Sequence, residues 1–417
     1  MTVGRLTADH PLSGDPPYEY VIVGGGIHGT CLANHLITEG EYTRDEIRIL
    51  DPREELLASF AKKANQCGME TLRSTFVHHI DTESFSLEST KNYPDRPTLG
   101  LFLDHARDVI ERRELSDCHH RSKVTDVTQS AGTETYLVET DAGAIETHRV
   151  VLAVGLGATP TLPEWTRSFP DDAPLAHVWD EAFDPATPGA FEGRTFVVGG
   201  GITAGHLACR LAEWTAVTLL SRHELEIELT EADPHWINWR HIGKEIHTLP
   251  PGSEARLDRV RAARNDATIP PYVERRLAEA RDGGALEHRQ GEITSANATD
   301  EGLSLRFDGG TKATAARVVL ATGLEPVPKQ PLVGRVSESL SLARGVEGFP
   351  VLNDQTLAWR RTDGTESAVY VSGALAEPSV GPFARNIVGA RRAAERILDP
   401  PDQARTDPLP MSSRGGS

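Results

Sequence analysis

A long signature occurs twice in this 417-residue chain, and it constrains the fold more tightly than any other feature. The first copy opens Tyr20-Val21-Ile22-Val23-Gly24-Gly25-Gly26-Ile27-His28-Gly29 and closes at Val150-Val151-Leu152-Ala153-Val154-Gly155. The second opens Thr195-Phe196-Val197-Val198-Gly199-Gly200-Gly201-Ile202-Thr203-Ala204-Gly205 and closes at Val318-Val319-Leu320-Ala321-Thr322-Gly323. Each opening is an apolar strand that enters a glycine turn and then a helix. In such a turn the first glycine (Gly24, Gly199) bends the chain. The second (Gly26, Gly201) lets a pyrophosphate approach the backbone, and the third position (Gly29, Ala204) packs helix against strand. One Gly-x-Gly-x-x-Gly is weak evidence. Two copies, each followed by an apolar run ending in Ala-x-Gly, imply two nucleotide cofactors on one chain.

Both copies follow one plan. In the first, strand 20–23 leads to a helix from Gly29, and Glu46 to Asp51 forms a second strand. A helix is expected at 99–113. Short alternating strands follow from Val124 to Ile145, turning at Asp141-Ala142-Gly143, and then a buried strand at 149–154. In the second, strand 195–198 and helix 203–214 precede strand 216–220. An insert at 223–285 carries Trp236, Trp239 and a basic helical stretch from Arg256 to Arg264. A second meander is expected over 286–308 and a closing strand over 317–321. Residues 324–417 return towards the first unit, with an apolar segment at 368–374 and a helix from Phe383 to Leu398.

The tips of the two second strands separate the cofactors. Asp51 lies 22 residues beyond Gly29, where a carboxylate accepts from a ribose diol and repels a 2′-phosphate. Its other reading is a turn residue before Pro52. The first unit therefore suits FAD, or NAD. The second strand of the second unit ends in Ser221-Arg222, which can donate to and pair with a 2′-phosphate, so this unit suits NADPH. A solvated surface arginine is the plainer reading of Arg222. The expected fold is α/β: two Rossmann-like three-layer domains, each with a β-meander, the NADPH domain inserted into the FAD domain. The expected divisions are a flexible start at 1–17, the first part of the FAD domain at 18–185, and the NAD(P)H domain at 190–322. The FAD domain returns at 323–399, and a disordered tail occupies 400–417.

Bulk composition excludes several classes. A net charge of −18 argues against a nucleic-acid partner. No apolar run is long enough to span a membrane, and no secretory leader is visible, so a cytoplasmic location is expected. Only seven of the 43 basic residues are lysine; this bias suits a salt-adapted host or simply surplus surface carboxylates. The four cysteines, Cys31, Cys67, Cys118 and Cys209, form no Cys-x-x-Cys pair. That removes a dithiol relay and a zinc knuckle, and leaves buried packing as their expected role.

The two glycine motifs, Ala321-Thr322-Gly323 and Tyr370-Val371-Ser372-Gly373-Ala374 together resemble the two-dinucleotide-domain flavoproteins. Within them the chain is most similar to the flavin-containing and the lysine and ornithine N-hydroxylating monooxygenases. Met69-Glu70-Thr71-Leu72-Arg73-Ser74, Phe85-Ser86-Leu87 and Phe102-Leu103-Asp104-His105-Ala106 carry that closer likeness. The N-hydroxylases usually place proline inside the first glycine turn, where this chain has Ile27-His28. The resemblance implies that NADPH reduces the flavin, and that one atom of molecular oxygen then passes to a small nucleophile such as an amine. Electron transfer from NAD(P)H to a quinone or partner protein is the alternative activity. A nucleotide-binding flavoprotein without turnover is the alternative outside enzymes.

Candidate cofactor contacts are Gly24, Gly26, Gly29, Asp51 and Val124 in the first unit, with Gly373 where backbone nears the flavin. In the second unit they are Gly199, Gly201, Ala204, Ser221, Arg222, Thr322 and Gly323. Arg73, His78 and His79 lie in the irregular segment expected near the flavin; a cation or imidazole there would stabilise a developing anion, and ordinary surface polarity is the plainer reading. Trp236 and Trp239 would line a substrate mouth or pack between domains. No metal ligands are recognised.

Overall fold

A computed structural model describes residues 17–73, 79–90, 93–130, 132–157, 159–167, 169–170, 172–186 and 193–398. His78, Ser74, the tail at 400–417 and all but Pro17 of the expected flexible start lie outside them.

The first unit contains β1 (Tyr18–Val23), α1 (Ile27–Thr38), β2 (Ile47–Asp51), α2 (Ala58–Gln66), α3 (Leu99–Arg112), β3 (His119–Arg121), β4 (Val124–Gln129), β5 (Tyr136–Thr140) and β6 (Gly143–Leu152). Its spine is β3-β2-β1-β6, all parallel, with Ile22 opposite both Ile49 and Val151. Val21, Ile22, Ile49, Val150 and Val151 have no exposed surface. Parallel strands covered on both faces need such unbroken apolar runs. The turn at Asp141-Ala142-Gly143 joins β5 to β6 as expected.

The second unit runs through β7 (Leu175–His177), β8 (Thr195–Val198), α4 (Ile202–Leu211) and β9 (Val217–Ser221). After α5 (Trp239–Glu245), α6 (Glu254–Ala262) and α7 (Pro271–Asp282) come β10 (Leu286–Gln290), β11 (Ile293–Thr299), β12 (Gly302–Phe307), β13 (Lys312–Ala315) and β14 (Arg317–Leu320). The sheet order is β10-β9-β8-β14-β7, entirely parallel, beside an antiparallel β11-β12-β13 meander. Its layers follow from the two-residue period of strands. Val197, Leu219 and Val319 pack with Leu207, Leu211, Val273 and Leu277 of α4 and α7. Their neighbours Phe196, Leu220, Val318 and Leu320 pack with Ile293, Leu303, Leu305 and Phe307 of the meander.

The chain then returns through α8 (Pro331–Ser339), β15 (Ala358–Arg360), β16 (Glu366–Val371), α9 (Glu377–Val380) and α10 (Ile387–Leu398). Strand β16 pairs parallel with β6, Val369 opposite Val150, and β15 pairs antiparallel with β16 at the edge of the first sheet. Helices α1 and α10 share one core, Leu32, Ala33 and Leu36 with Ala393, Ala394 and Ile397. The fold is thus two Rossmann-like units, the second inserted into the first.

Four expectations change in detail. Residues 286–290 are the parallel edge strand of the second sheet, and the meander starts at Ile293. Strand β7 pairs with β14, so the second unit begins before the glycine strand, and the division expected at 185–190 moves ahead of Leu175. Helix α10 starts at Ile387, because 383–386 form a turn. The insert does not stay with its own unit. Trp236, Ile242, Ile246 and Val260 form a cluster with Phe383 and Val388 of the return segment. Buried Arg256 of α6 donates to both carboxylate oxygens of Asp354 at 2.7 and 3.1 Å. Trp236 and Trp239 therefore pack between units: the Arg259 and Arg396 guanidiniums lie 4.8 and 3.3 Å from their rings.

Candidate functional site

The two turns have the same construction. Gly24 has φ +113°, and a Cβ there would meet the Ala153 carbonyl oxygen at 2.4 Å. A Cβ on Gly29 would lie 1.8 Å from the Gly24 oxygen, so α1 presses directly on the turn. Around Gly26 a Cβ would meet nothing within 4 Å. Gly199 repeats Gly24, with φ +154° and the Ala321 oxygen at 2.6 Å, and the space beside Gly201 is open to 3.6 Å. Ala204 fits the third position fully buried. Gly26 and Gly201 are the N-caps of α1 and α4 and provide no side-chain cap. The first-turn N–H groups of both helices are left for an anion, whose charge the helix dipole favours. The donors and the room both fit a dinucleotide pyrophosphate at each turn.

Both turns open on one cleft of about 1020 Å³, lined by Gly26 and His28 from the first unit and by Gly201, Thr203, Arg222 and Gly323 from the second. The links between units run side by side along it: Thr161 N–H donates to the Gly323 oxygen at 3.0 Å, and Glu325 N–H to the Thr159 oxygen at 2.9 Å. The Thr322 hydroxyl donates to the Thr161 carbonyl at 2.5 Å, so Thr322 ties the links together.

The strand tips differ from each other in a further way. Asp51 accepts from Gly25 N–H at 2.7 Å and from Arg53 N–H at 2.8 Å. It is a turn residue as well as a ribose candidate, since a carboxylate keeps lone pairs beyond two such bonds. The Ser221 hydroxyl donates to the His223 carbonyl at 2.6 Å and lies 2.8 Å from His288 Nε2. Ser221 is buried, and its donor is spent on the protein rather than on a phosphate. Arg222, at the cleft edge, has no side-chain partner among the described residues.

Arg73 and His79 take other roles than those expected. Arg73 lines the cleft, but its guanidinium donates to the carbonyls of Glu228, Leu229 and Thr230 and, at 2.6 Å, to the Thr268 hydroxyl. It fastens the first unit to the insert. His79 is buried away from the cleft, its ring 3.0 Å from Arg391 Nη1, and burial with that cation depresses it to about 3. Val124 is likewise a core residue of the first unit and does not line the cleft. Gly373, with φ +88°, lies beside the His28 ring, 3.6 Å from where its Cβ would stand.

Several cleft residues escape sequence reasoning. Lys63 donates to the Gly157 carbonyl at 3.4 Å, and burial lowers its pKa. Arg264 and Arg385 both hold buried Glu377, at 3.2 and 2.5 Å, and both line the cleft. Their only signal is a basic residue in the insert and another before the last helix, which motif spacing does not single out. The four cysteines are buried and unpaired; Cys67 alone lines the cleft, and burial pushes its thiol up to about 12.

The fold and the paired turns define a two-domain, Rossmann-type architecture. The FAD-NAD(P)-binding family matches residues 21–157. No curated protein matches the sequence. Among solved structures, the chain is similar to ornithine N-hydroxylase of Kutzneria sp. 744, with TM-score 0.73 and 16% identity over 92% of this chain and 98% of that one. It is similar to L-lysine 6-monooxygenase of Pseudomonas syringae, with TM-score 0.68 and 19% identity over 91% and 98%. Bacillithiol disulfide reductase of Staphylococcus aureus shares the fold at TM-score 0.62 and 16% identity, over 92% and 96%. Among the described residues no helix is long and apolar enough to cross a membrane.

Proposed function

We propose that this chain is an FAD-dependent, NADPH-using oxidoreductase that transfers one oxygen atom to a small amine-like nucleophile. The observation that carries the reading is the single cleft onto which both glycine turns open. Two dinucleotides held at Gly26 and Gly201 would extend into one space. Hydride acceptance and oxygen activation are the chemistry of the flavin when bound. The protein's share is binding, orientation and exclusion of water. The turns would hold phosphates on backbone N–H groups, Asp51 would accept from a ribose diol, and Arg222 would pair with the 2′-phosphate. Leu156, Leu162, Trp165 and Trp179 give the cleft part of its apolar lining.

A thiol relay is disfavoured. A redox pair needs two sulfurs in reach, and only Cys67 lines the cleft, with its thiolate suppressed by burial. The likeness to the ornithine N-hydroxylase, whose structure holds reduced FAD, NADP⁺ and L-ornithine, supports the oxygen-transfer reading. The likeness to the disulfide reductase keeps electron transfer to another acceptor as the second reading. Four buried, unpaired cysteines suit the cytoplasm, where we place the protein. The test is NADPH oxidation under ¹⁸O-labelled oxygen with a panel of amines, amino acids and sulfides. Label in a hydroxylated product is expected. Peroxide alone, with rapid anaerobic reduction of a quinone, would transfer the protein to the second reading.

A further inference from the structure

Buried polar side-chain atoms in folded proteins are nearly always hydrogen-bonded, so each exception calls for an explanation. Among the described residues, only His28 and His206 line the cleft while keeping a buried nitrogen without a partner. His206 lies 3.5 Å from the Tyr272 hydroxyl on the second unit. His28 stands inside the first glycine turn, at the second position of α1.

His28 joins two cofactor-facing segments. Its Nδ1 lies 2.8 Å from the Ser372 hydroxyl, in the turn after β16, and its Nε2 has no partner. Ser372 is itself fixed, since its N–H donates to the Leu152 carbonyl at 3.0 Å. With the proton on Nε2, the ring accepts from Ser372 and presents one N–H donor. Burial holds the ring neutral by lowering its pKa to about 4, an effect that the backbone at Arg385 opposes. A neutral ring can donate without bringing a charge into a closed site. Packing alone gives no reason for the imidazole. An apolar side chain of similar size would fill the place without leaving a buried nitrogen unpaired.

We propose that His28 is a positioning residue for the dinucleotide of the first unit, donating from Nε2 to one of its acceptor oxygens while Ser372 sets the ring. The proposal rests on the FAD assignment made above. The open space beside Gly26, two residues earlier, is where that ligand has room to approach.

The test uses the full chain stripped of flavin, with FAD affinity read by flavin fluorescence and apoprotein Tm read separately. Wild-type protein that binds no FAD overturns the underlying assignment. If it binds, His28→Leu is expected to weaken FAD about tenfold or more, with the apoprotein Tm not lowered. That is the loss of one hydrogen bond of about 1.4 kcal/mol. His28→Gln, whose amide nitrogen reaches about as far as Nε2, is expected to keep FAD affinity within about threefold. Wild-type affinity in His28→Leu overturns the proposal. So does equal weakening in both variants, which would mean that ring shape matters and the donor does not. Should the Leu variant not fold, Ser372→Ala reads the same arrangement. It is expected to weaken FAD several-fold at constant apoprotein Tm, and unchanged affinity there overturns the proposal.

Discussion

The Asp51 carboxylate accepts the Gly25 amide hydrogen at 2.7 Å, so the tip of the second strand and the glycine turn are built as one piece. The residue that would select a ribose also shapes the turn that would hold its pyrophosphate. Asp51→Ala should therefore lower both FAD affinity and stability. Asp51→Asn retains an accepting oxygen for Gly25 and loses the charge. It should keep most of the Tm and lose part of the FAD affinity, which parallel thermal and binding titrations would separate.

Gly26 and Gly29 should respond oppositely to a larger side chain. At Gly26 the backbone has φ −75°, which any residue adopts, and a Cβ meets nothing. Gly26→Val should fold with a near-wild-type Tm and purify without flavin. At Gly29 the Gly24 oxygen would be 1.8 Å from the new Cβ. Gly29→Val should lose the fold itself, measured as lost soluble yield or a collapsed Tm. Full flavin occupancy in Gly26→Val would refute the placement of the pyrophosphate.

Arg222 should discriminate between coenzymes and Ser221 should not. A charge-assisted bond to a phosphate contributes about 1.5–3 kcal/mol, so Arg222→Ala should raise half-saturating NADPH by roughly ten- to a hundredfold and leave NADH nearly unchanged. The Ser221 hydroxyl is held by the His223 carbonyl and His288. Ser221→Ala should cost about 1 kcal/mol of stability and little NADPH preference. Stopped-flow flavin reduction with each coenzyme checks both.

Acid should destabilise the protein well above the range of its carboxylates. Burial lowers His28 and His206 from 6.5 to about 4, and burial with Arg391 lowers His79 to about 3. Because these folded-state values lie below the unfolded one, the unfolded chain takes up protons first. Stability is therefore full above pH 6.5 and falls as pH drops towards 4. The apoprotein Tm should decline between pH 6.5 and 4, and His206→Gln should flatten part of that slope. A Tm independent of pH across this window would mean that the rings are not buried neutral.

Arg256 should matter for stability far from the cofactor turns. Its side chain is 1% exposed and holds both oxygens of Asp354 across the insert and the return segment. Arg256→Ala leaves a carboxylate and the Leu249 carbonyl without their donor, and should cost about 3 kcal/mol in chemical denaturation. Pairing Arg256→Met with Asp354→Leu should recover most of that loss.

Residues at the glycine turns were legible because their constraints are local. A strand, a bend and a helix within ten positions set φ +113° at Gly24 and leave no room for a Cβ at Gly29, whatever packs around them. Three strands of the second sheet were legible as apolar runs at 195–198, 216–220 and 317–321. Strands β3 and β10, by contrast, are short and largely polar, HHR and LEHRQ, and become strands only because a parallel neighbour offers its edge. Periodicity cannot report a partner that lies elsewhere in the chain. The same holds for β7, which joins a sheet whose other strands come later in the sequence.

The sequence by itself determined that two Rossmann-like units exist and where their glycine turns lie. Those facts rest on sterics and spacing within short windows. Tertiary structure decided what each polar side chain does. Ser221 spends its hydroxyl on His223 and His288, Arg73 on carbonyls near residue 229, and His79 meets Arg391 in the core. Tertiary structure also left Arg222 without a side-chain partner among the described residues and His28 with one nitrogen unanswered. A hydrogen bond depends on a few tenths of an ångström between atoms that can lie hundreds of residues apart. Only the packed chain sets those distances.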